Sequence, residues 1–293
     1  MRILIVGATG ALGSALYRQF TPDSRFDTWS TMRYHEAKRH FTFGDPERLL
    51  AGVDVNDEDS LVAAIAKVRP DVVINAVGVV KQHATANDPL VVLPVNAMHP
   101  HRLADLCALG RARLIHVSTD CVFSGRHGNY RETDPSDADD LYGKSKFIGE
   151  VTEREHVITL RTSGIGHELT TRNSLLEWFL ASHGSVLGYT HAIYSGLPWV
   201  ELARVIRDHV FPRPDLHGLY HVSSDPISKF DLLTLIKKAY AKHIEIEPDG
   251  DVRIDRSLDS TRFRLATGYN PAPWPDLITL MHSDHETSPS NAC

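Results

Sequence analysis

Residues 2–13 read RILIVGATGALG, an aliphatic run followed by glycines at every third position. Gly7, Gly10 and Gly13 have separate uses in a strand-turn-helix unit: a tight turn, a close approach of the backbone to a pyrophosphate, and close packing of the helix on the strand. A structural turn without a ligand is the alternative, but this turn stands between a strand pattern and a helical pattern, as dinucleotide binding requires. The stretch therefore predicts the first βα unit of a parallel sheet that binds a dinucleotide.

The same alternation of apolar runs and helical periodicity continues to residue 161, which is typical of repeated βαβ units around a buried parallel sheet. Six strands are predicted, at 2–6, 27–32, 52–55, 71–76, 113–118 and 157–161. Helices are predicted at 11–20, 58–68, 95–109 and 141–154. We therefore expect an α/β chain with a doubly wound parallel sheet, the Rossmann fold, in a cofactor-binding domain over residues 1–161.

From residue 162 the rhythm loosens and predicts a smaller C-terminal α/β region over residues 162–283, used mainly for substrate binding. Helices are expected at 174–182, 199–210 and 228–240, and a strand at 218–224. Residues 284–293 are polar and lack apolar periodicity, so a flexible tail is predicted there.

Composition restricts the class of protein. The chain has 293 residues, 42% of them hydrophobic and 23% charged, with a formal net charge of -6. These values argue against disorder and against a general affinity for nucleic acid or an anionic membrane. Three cysteines without a C-x-x-C spacing indicate neither a disulfide framework nor a zinc site, and the 17 histidines suggest no required metal. No signal peptide or membrane-spanning run is recognised, so a cytoplasmic protein is expected.

The segment after the predicted second strand bears on the choice of cofactor. An acidic side chain there pairs with the ribose 2′-hydroxyl of NAD, whereas a cation accommodates the 2′-phosphate of NADP. Arg33, with Ser30 or Thr31, therefore favours NADP(H), with NAD(H) as the alternative cofactor and a solvated Arg33 as the alternative interpretation. Strand-end residues at the same sheet edge are further cofactor candidates: Asp54, Val55, Ala76, Val77 and Gly78.

Tyr142 and Lys146 are the principal catalytic candidates. Four positions apart on a helix, they lie on one face about one turn from each other. A nearby ammonium stabilises a phenolate, so Lys146 is expected to lower the pKa of Tyr142. Thr119, predicted at a strand end, can hydrogen bond a carbonyl that is being reduced. A helix-starting Asn96 is either a cap or an anchor in a proton relay.

These residues together resemble the extended short-chain dehydrogenase/reductases, and within them the dTDP-4-dehydrorhamnose reductase (RmlD-like) group. The resemblance rests on GATGALG, VDVND, NAVG, VNAMHPHRLADLC, STDCVFSG, YGKSK, LRTS and SLDSTRF. It implies a reductase that uses NADPH to reduce the keto group of a nucleotide-activated 4-keto-6-deoxyhexose. Tyr142 would be the proton donor, Lys146 its supporting lysine, Thr119 the active-site hydroxyl, and Asp120 a sugar neighbour. Tyr142 and Lys146 are also expected to contact the cofactor, with Lys146 at the nicotinamide ribose.

The resemblance also implies cofactor contacts in the glycine-rich turn. At two other positions the chain departs from the family pattern. The turn residues expected at the cofactor are Gly7, Thr9, Gly10, Ala11, Leu12 and Gly13. Cys121 stands where the rhamnose-forming enzymes usually carry a tyrosine, and Gly164 stands where they usually carry an aromatic residue. Both departures concern the sugar pocket, so the identity of the sugar stays open.

Several cationic residues are candidates for binding the substrate, although each could equally form a surface ion pair or be solvated. Besides Thr119 and Asp120, they are Lys81, His83, Arg161, Arg256 and Arg262. Two other functions remain open: an epimerase or dehydratase that retains NAD, and a non-catalytic nucleotide-sugar-binding or regulatory subunit. A nucleotide sugar is the expected partner, and a homodimer is a reasonable assembly for such a chain.

Overall fold

The computed structural model describes residues 1–169 and 171–287. The strands, in chain order, are β1 (Arg2–Val6), β2 (Asp27–Met32), β3 (Leu49–Ala51), β4 (Val72–Asn75), β5 (Arg113–Thr119), β6 (Val157–Thr162), β7 (Gly164–Ile165), β8 (Ser185–Tyr194), β9 (Leu197–Pro198), β10 (Gly218–His221), β11 (Ile227–Ser228) and β12 (Glu245–Asp255). The α-helices are α1 (Ala11–Phe20), α2 (Glu58–Val68), α3 (Pro89–Val92), α4 (His99–Gly110), α5 (Leu141–Ile148), α6 (Leu175–Ala181), α7 (Trp199–Val205), α8 (Lys229–Ala239), α9 (Thr261–Thr267) and α10 (Trp274–Glu286).

Seven parallel strands form the large sheet in the order β10-β6-β5-β4-β1-β2-β3. The strand order reverses between β1 and β4, and in doubly wound sheets ligands bind outside the carboxyl ends of the strands at such a point. The predicted Rossmann architecture is confirmed.

Both faces of this sheet are covered by helices. Alternate residues of β1 enter different cores: Ile3 and Ile5 pack with one buried cluster, and Leu4 and Val6 pack with the other. Because side chains alternate across a strand, a run of four aliphatic residues is what a strand buried on both faces requires.

The predicted third strand and the helix predicted at 141–154 have different bounds in the structure. The third strand is Leu49–Ala51, not 52–55, because Gly52 has a φ of +81° and ends the extended backbone. The helix predicted at 141–154 ends at Ile148. A side chain on the next residue, Gly149, would come 2.0 Å from the carbonyl oxygen of Asn96, so the chain turns where the two backbones meet.

The helix predicted at 95–109 begins earlier. Asp88 caps it by accepting a hydrogen bond from the amide of Leu90, and Pro89 occupies the first turn. A π-helical stretch, Leu93–Met98, joins α3 to α4. Pro94 lies in this stretch and has no amide hydrogen to donate, which accounts for the local change of pitch.

The region after residue 162 is interwoven with the first domain. Its strand β10 pairs with β6 and forms the seventh strand of the large sheet. The rest of the region includes a three-stranded sheet, β11-β8-β12, and a two-stranded sheet, β7-β9. The large sheet thus contains the six strands that begin before residue 162, and the strand predicted at 218–224 adds the seventh. The division of the chain at residue 161 remains a proposal.

The C-terminal prediction of a flexible tail at 284–293 needs correction for its first residues. Helix α10 extends to Glu286, and Asp284 forms an ion pair of 3.0 Å with Arg18. Residues 288–293 lie outside the described residues. Within the described part of the chain, no helix is long and apolar enough to span a bilayer.

Candidate active site

The glycine-rich turn lies at the carboxyl end of β1. Gly7 has a φ of +98°, and a Cβ on it would lie 2.6 Å from the side chain of Val77. A Cβ on Gly13 would lie 1.8 Å from the carbonyl oxygen of Gly7. The turn therefore excludes side chains at both positions, and helix α1 packs directly on the strand.

The first turn of α1 is suited to an anion. Gly10 precedes the helix without a side-chain cap, and no acidic residue occupies the first turn. Amide groups at a helix N-terminus that lack a capping side chain can donate hydrogen bonds to a phosphate. The residues present therefore fit the diphosphate of a dinucleotide, held by the backbone of Gly10, Ala11 and Leu12. The Leu12 side chain itself is buried in the core.

A large cleft of about 1320 Å³ extends from this turn across the carboxyl edge of the sheet. The predicted cofactor residues that line it are Gly7, Thr9, Arg33, Asp54, Val55, Val77 and Gly78, together with Thr31 and the candidate His83. Thr31 also accepts a hydrogen bond from the amide of Gly7 at 3.2 Å. The cleft therefore brings together residues from four separate strand ends.

Arg33 and Asp54 face each other in this cleft. Their charged atoms are 3.9 Å apart, both side chains are more than a third exposed, and the Arg33 guanidinium lies 4.6 Å from the ring centre of Tyr34. An exposed pair at this distance contributes little to stability, so Arg33 can turn toward an anionic ligand.

Ser30 does not face the cofactor cleft, contrary to the prediction. It is fully buried, and its Oγ donates to the carbonyl oxygen of Ile5 at 2.9 Å. Side chains alternate along β2, so Thr31 and Ser30 point to opposite faces. The sequence analysis missed Arg39, which lines the cleft beyond Arg33. The sequence could have indicated Arg39 only as a second basic residue, six positions after Arg33, in a segment where neither a helix nor a strand was predicted.

At Gly78 the lining of the cleft comes close to Asn96 and Lys146. A Cβ on Gly78 would lie 3.4 Å from Asn96 Oδ1 and 3.9 Å from Lys146 Nζ. The Asn96 side chain accepts from the amide of Val79 and donates to its carbonyl and to Ser145 Oγ. Asn96 therefore ties the loop after β4 to helix α5, which carries Lys146.

Tyr142 lies half-buried at the start of α5, close to Thr119 at the end of β5. Burial raises the pKa of Tyr142, and the nearby Cys121 raises it further, while a hydrogen bond with Thr119 lowers it. In the protein alone the net effect is a raised pKa, because burial outweighs the hydrogen bond with Thr119; the expected lowering by Lys146 stays a prediction. The phenol therefore keeps its proton at neutral pH.

Lys146 is almost fully buried, and its Nζ donates to the carbonyl oxygen of Val117 at 2.9 Å. Burial lowers the pKa of Lys146 to about 8, and the negative charge of Glu150 opposes this effect. The Lys146 side chain is therefore still mostly protonated at pH 7. Gly143 permits this placement of α5, since a Cβ there would come 2.1 Å from the carbonyl oxygen of Cys121.

Asp120 follows Thr119 and is also buried. Burial raises the pKa of Asp120, whereas the charge of Arg256 and hydrogen bonds with Cys121, Thr119 and Ser163 lower it. The Arg256 Nε donates to the carbonyl oxygen of Phe123 at 2.8 Å. Arg256 therefore lies close to Asp120, and its contact with the substrate stays a prediction.

Two residues of the C-terminal region join this group and were missed in the sequence. Burial lowers the pKa of Lys229, the first residue of α8, and Asp120 opposes that shift. Burial raises the pKa of Tyr194, and the charge of Asp120 adds to it. The sequence could have indicated Lys229 only by its position directly after the helix cap Ser228. Ser228 Oγ accepts a hydrogen bond from the amide of Asp231 at 3.0 Å.

The remaining substrate candidates lie in different surroundings. Arg161 is buried against Glu150, with two hydrogen bonds of 2.7 Å, so the prediction that it binds substrate is wrong. Arg262 is exposed and lies 4.6 Å from the ring centre of Tyr220, outside the lining of the cleft. Lys81 forms an ion pair of 2.5 Å with Asp140, the residue that caps α5.

Cys121 and Gly164, the two residues that depart from the family pattern, are both closely surrounded by other groups. Burial raises the pKa of the Cys121 thiol to about 12, and Asp120 adds to this effect. At Gly164, a Cβ would lie within 1.9–2.1 Å of three ring carbons of Trp199. The Trp199 indole thus occupies the space that the Cβ of an aromatic residue at position 164 would need.

Among the described residues, no group of three or more His, Cys, Asp or Glu side chains is arranged to hold a metal ion. The site instead offers uncharged helix amides, arginines, and a phenol beside a buried lysine. These groups are suited to holding a dinucleotide and donating a proton to an oxygen.

Comparisons with known proteins agree with this geometry. The dTDP-4-dehydrorhamnose reductase of Aggregatibacter actinomycetemcomitans is 26% identical over 297 residues, covering 93% of this chain and 95% of that protein. The dTDP-4-dehydrorhamnose reductase of Bacillus anthracis, solved in complex with NADP, is 20% identical with a TM-score of 0.77, covering 97% and 99% of the two chains. The zebrafish methionine adenosyltransferase 2 subunit beta is 32% identical, covering 51% of this chain and 42% of that protein.

Residues 1–251 match the family described as the RmlD substrate binding domain. This match includes the glycine-rich turn, Thr119, Tyr142 and Lys146, and it extends through most of the C-terminal region. The predicted resemblance is confirmed, and the chain belongs to the RmlD family of extended short-chain dehydrogenase/reductases.

Proposed function

We propose that the protein is an NADPH-dependent reductase of a nucleotide-activated 4-keto-6-deoxyhexose, as in the dTDP-4-dehydrorhamnose reductases. The observation that carries the proposal is that Tyr142 is hydrogen bonded to Thr119, while Lys146, four residues along α5, lies next to Gly78 in the lining of the cleft. The similarity of almost the whole chain to the reductase of Aggregatibacter actinomycetemcomitans supports the same activity.

NADP(H) would be held by the amides of Gly10, Ala11 and Leu12, with Arg33 and Arg39 available for the 2′-phosphate. When bound, NADPH supplies a hydride to the keto carbon. No acidic side chain occurs from Thr28 to His35, which supports NADPH over NADH, because a carboxylate at the end of β2 would repel the phosphate.

Tyr142 supplies the proton to the keto oxygen. Its raised pKa keeps the phenol protonated at neutral pH, as a proton donor in a reduction requires. After the proton leaves, the Lys146 ammonium one helical turn away stabilises the phenolate. The Thr119 hydroxyl, which hydrogen bonds Asp120 at 3.2 Å in the structure, can turn to the keto oxygen and orient it.

Asp120, Arg256 and Lys229 form the polar wall on the far side of Thr119. A buried carboxylate between two cations can accept hydrogen bonds from sugar hydroxyls, and the cations can face an anionic nucleotide diphosphate. We propose that Arg256 and Lys229 replace Arg161 and Arg262 as the cationic substrate ligands.

The test is NADPH consumption against a panel of nucleotide-linked 4-keto-6-deoxyhexoses, with the matched 4-hydroxy sugars as controls. Stoichiometric oxidation of NADPH with at least one keto sugar is expected. Tightly bound NAD with no net oxidation would indicate an epimerase or dehydratase. Sugar binding without turnover would indicate a regulatory subunit, as the partial similarity to methionine adenosyltransferase 2 subunit beta allows. The predicted homodimer is tested separately by sedimentation velocity.

A further inference from the structure

Glu150 follows helix α5 and turns its carboxylate into the protein. The Nε of Arg161 donates to Oε1 at 2.7 Å, and Nη2 of the same residue donates to Oε2 at 2.7 Å. Ser118 Oγ donates to Oε1 at 2.7 Å. Both side chains of the ion pair are 3% exposed. Every oxygen of this buried carboxylate is therefore engaged by a fixed donor.

Lys146 lies directly beside this ion pair. Its Nζ bonds the carbonyl oxygen of Val117, and Val117 immediately precedes Ser118 on β5. Glu150 follows Lys146 by four residues, just beyond the end of α5, and its negative charge raises the pKa of Lys146. A buried ammonium this close to a carboxylate would ordinarily pair with it, yet here Lys146 bonds a neutral carbonyl. The reason is that Arg161 and Ser118 already hold the carboxylate.

Arg161 is itself fixed from the C-terminal half of the chain. Its Nη1 lies 3.3 Å from Nε2 of His221 on β10, and its guanidinium carbon lies 5.1 Å from the ring centre of Phe123. The pair thus connects three neighbouring strands of the large sheet to the end of the catalytic helix. Its guanidinium is held where it cannot reach the cofactor cleft.

Other ionisable groups also face Lys146, but they carry no charge at neutral pH. His99 on α4 and His116 on β5 are fully buried, and burial lowers the pKa of His99 to about 4 and that of His116 well below its usual value. Tyr142, one turn earlier on α5, keeps its proton. Glu150 is therefore the charged group that acts on Lys146 from within the described residues.

We propose that Arg161 and Glu150 are positioning residues for Lys146: Arg161 and Ser118 hold the Glu150 carboxylate so that the Lys146 ammonium stays charged but unpaired, free for the cofactor ribose and for Tyr142. The inference rests on the proposed function, because it takes Lys146 as the lysine that binds the cofactor. It assigns to Arg161 a role different from the substrate contact predicted from the sequence.

The test uses the opposite charges of the two partners. Glu150→Gln leaves the Arg161 cation uncompensated, so the pKa of Lys146 falls. Arg161→Met leaves the carboxylate uncompensated, so the pKa of Lys146 rises. The ammonium form binds the cofactor, so NADPH affinity and kcat/KM decline as pH rises through this pKa, near pH 8 in the unchanged protein. We expect the decline to move by about 1 pH unit, downward in the first variant and upward in the second.

NADPH affinity is measured by fluorescence titration from neutral to alkaline pH, and kcat/KM is measured over the same range with a keto sugar that the protein reduces. Glu155→Gln, an exposed acid five residues farther along, is the matched control and should leave the decline in place. The double variant Glu150→Gln/Arg161→Met removes both charges, so Lys146 loses the carboxylate that raises its pKa, and the decline should move downward by less than in Glu150→Gln. Ser118→Ala loses one hydrogen bond to the carboxylate without a change of charge, and should move the decline slightly upward.

A single buried charge that is left without its partner can prevent folding. If a single variant is insoluble, the double variant and Ser118→Ala still decide the question, because neither leaves a buried charge alone. Shifts in the same direction for both single variants, or a decline at the original pH in every soluble variant, would overturn the inference. If the unchanged protein binds NADPH but reduces no sugar, the proposed function fails while the binding curves still test the positioning role; if it binds no NADPH, both fail.

Discussion

Gly13→Ala is the substitution that most directly tests how the glycine-rich turn is built. The added Cβ would lie 1.8 Å from the carbonyl oxygen of Gly7 and 2.8 Å from its carbonyl carbon. A non-bonded carbon and a carbonyl oxygen need about 3.3 Å, so helix α1 must move away from the turn by about 1.5 Å. The obstructing atoms belong to the backbone, and no side-chain rotation can relieve the contact.

Overpacking of this kind costs about 3 kcal/mol, the upper part of the usual range. For a chain of this size each kcal/mol lowers the melting temperature by about 2–4 °C, so we expect Gly13→Ala to melt roughly 6–12 °C lower. NADPH affinity should fall as well, because the first amides of α1 move with the helix. Thermal unfolding by circular dichroism and a fluorescence titration with NADPH measure the two effects.

Gly10→Ala is the matched control from the same turn. Gly10 has a φ of -71°, and the nearest atoms to its added Cβ are 3.8 Å away, so the fold should accept alanine. Its melting temperature should equal that of the unchanged protein, while NADPH affinity still falls because the methyl group occupies the approach to the pyrophosphate. Equal melting temperatures for Gly13→Ala and the unchanged protein would refute the argument, as would an equal loss in both variants.

Three further predictions concern the cofactor end and the two departures from the family pattern. The double variant Arg33→Ser/Arg39→Ser should raise the Kd for NADPH by about tenfold or more while leaving the Kd for NADH nearly unchanged, because it removes cations near the 2′-phosphate; an equal loss for both cofactors in titrations would contradict this. The Cys121 thiol, with a pKa raised to about 12, should alkylate slowly at pH 8 and react faster only as pH approaches that value, as mass spectrometry of iodoacetamide-treated protein would record; fast alkylation at pH 8 would contradict it. Gly164→Ala should lower the melting temperature, and Trp199→Ala in the same chain should recover part of the loss by removing the ring that the new Cβ meets; an unrelieved loss would contradict that contact.

Local patterns predicted the N-terminal half of the sheet well. Strands β1 and β2 and helices α1 and α2 have the predicted bounds, because each is determined by a short aliphatic run, a glycine turn or a capping residue. Asp57, for example, accepts from the amide of Asp59 at the start of α2. Such signals lie within a few residues of the element that they determine.

Elements that depend on distant partners were harder to predict. Strand β10 has only four residues, and nothing within them indicates that Gly218 pairs with Ile158 at the edge of the large sheet. Strand β12 was not predicted, since its sequence EIEPDGDVRID contains a proline, a glycine and mostly exposed residues. Its pairing with β8 determines the strand, and that partner lies about sixty residues away.

The same distinction separates the site residues. Tyr142 and Lys146 were found because helical spacing relates them within one motif. Arg161 was misassigned because the sequence does not reveal that Glu150, at the end of another element, meets it inside the protein. Lys229 was missed because it reaches Asp120 only through the packing of α8 against the sheet β11-β8-β12.

The central claim is that Tyr142 donates the proton in a reduction by NADPH. The decisive measurement is the single-turnover rate of NADPH oxidation by Tyr142→Phe and by the unchanged protein, with the same keto sugar and with NADPH affinity measured in parallel. We predict a rate lower by about 10²–10⁴-fold with nearly unchanged NADPH affinity, because the substitution removes only the proton donor. An unchanged rate in Tyr142→Phe would contradict the account.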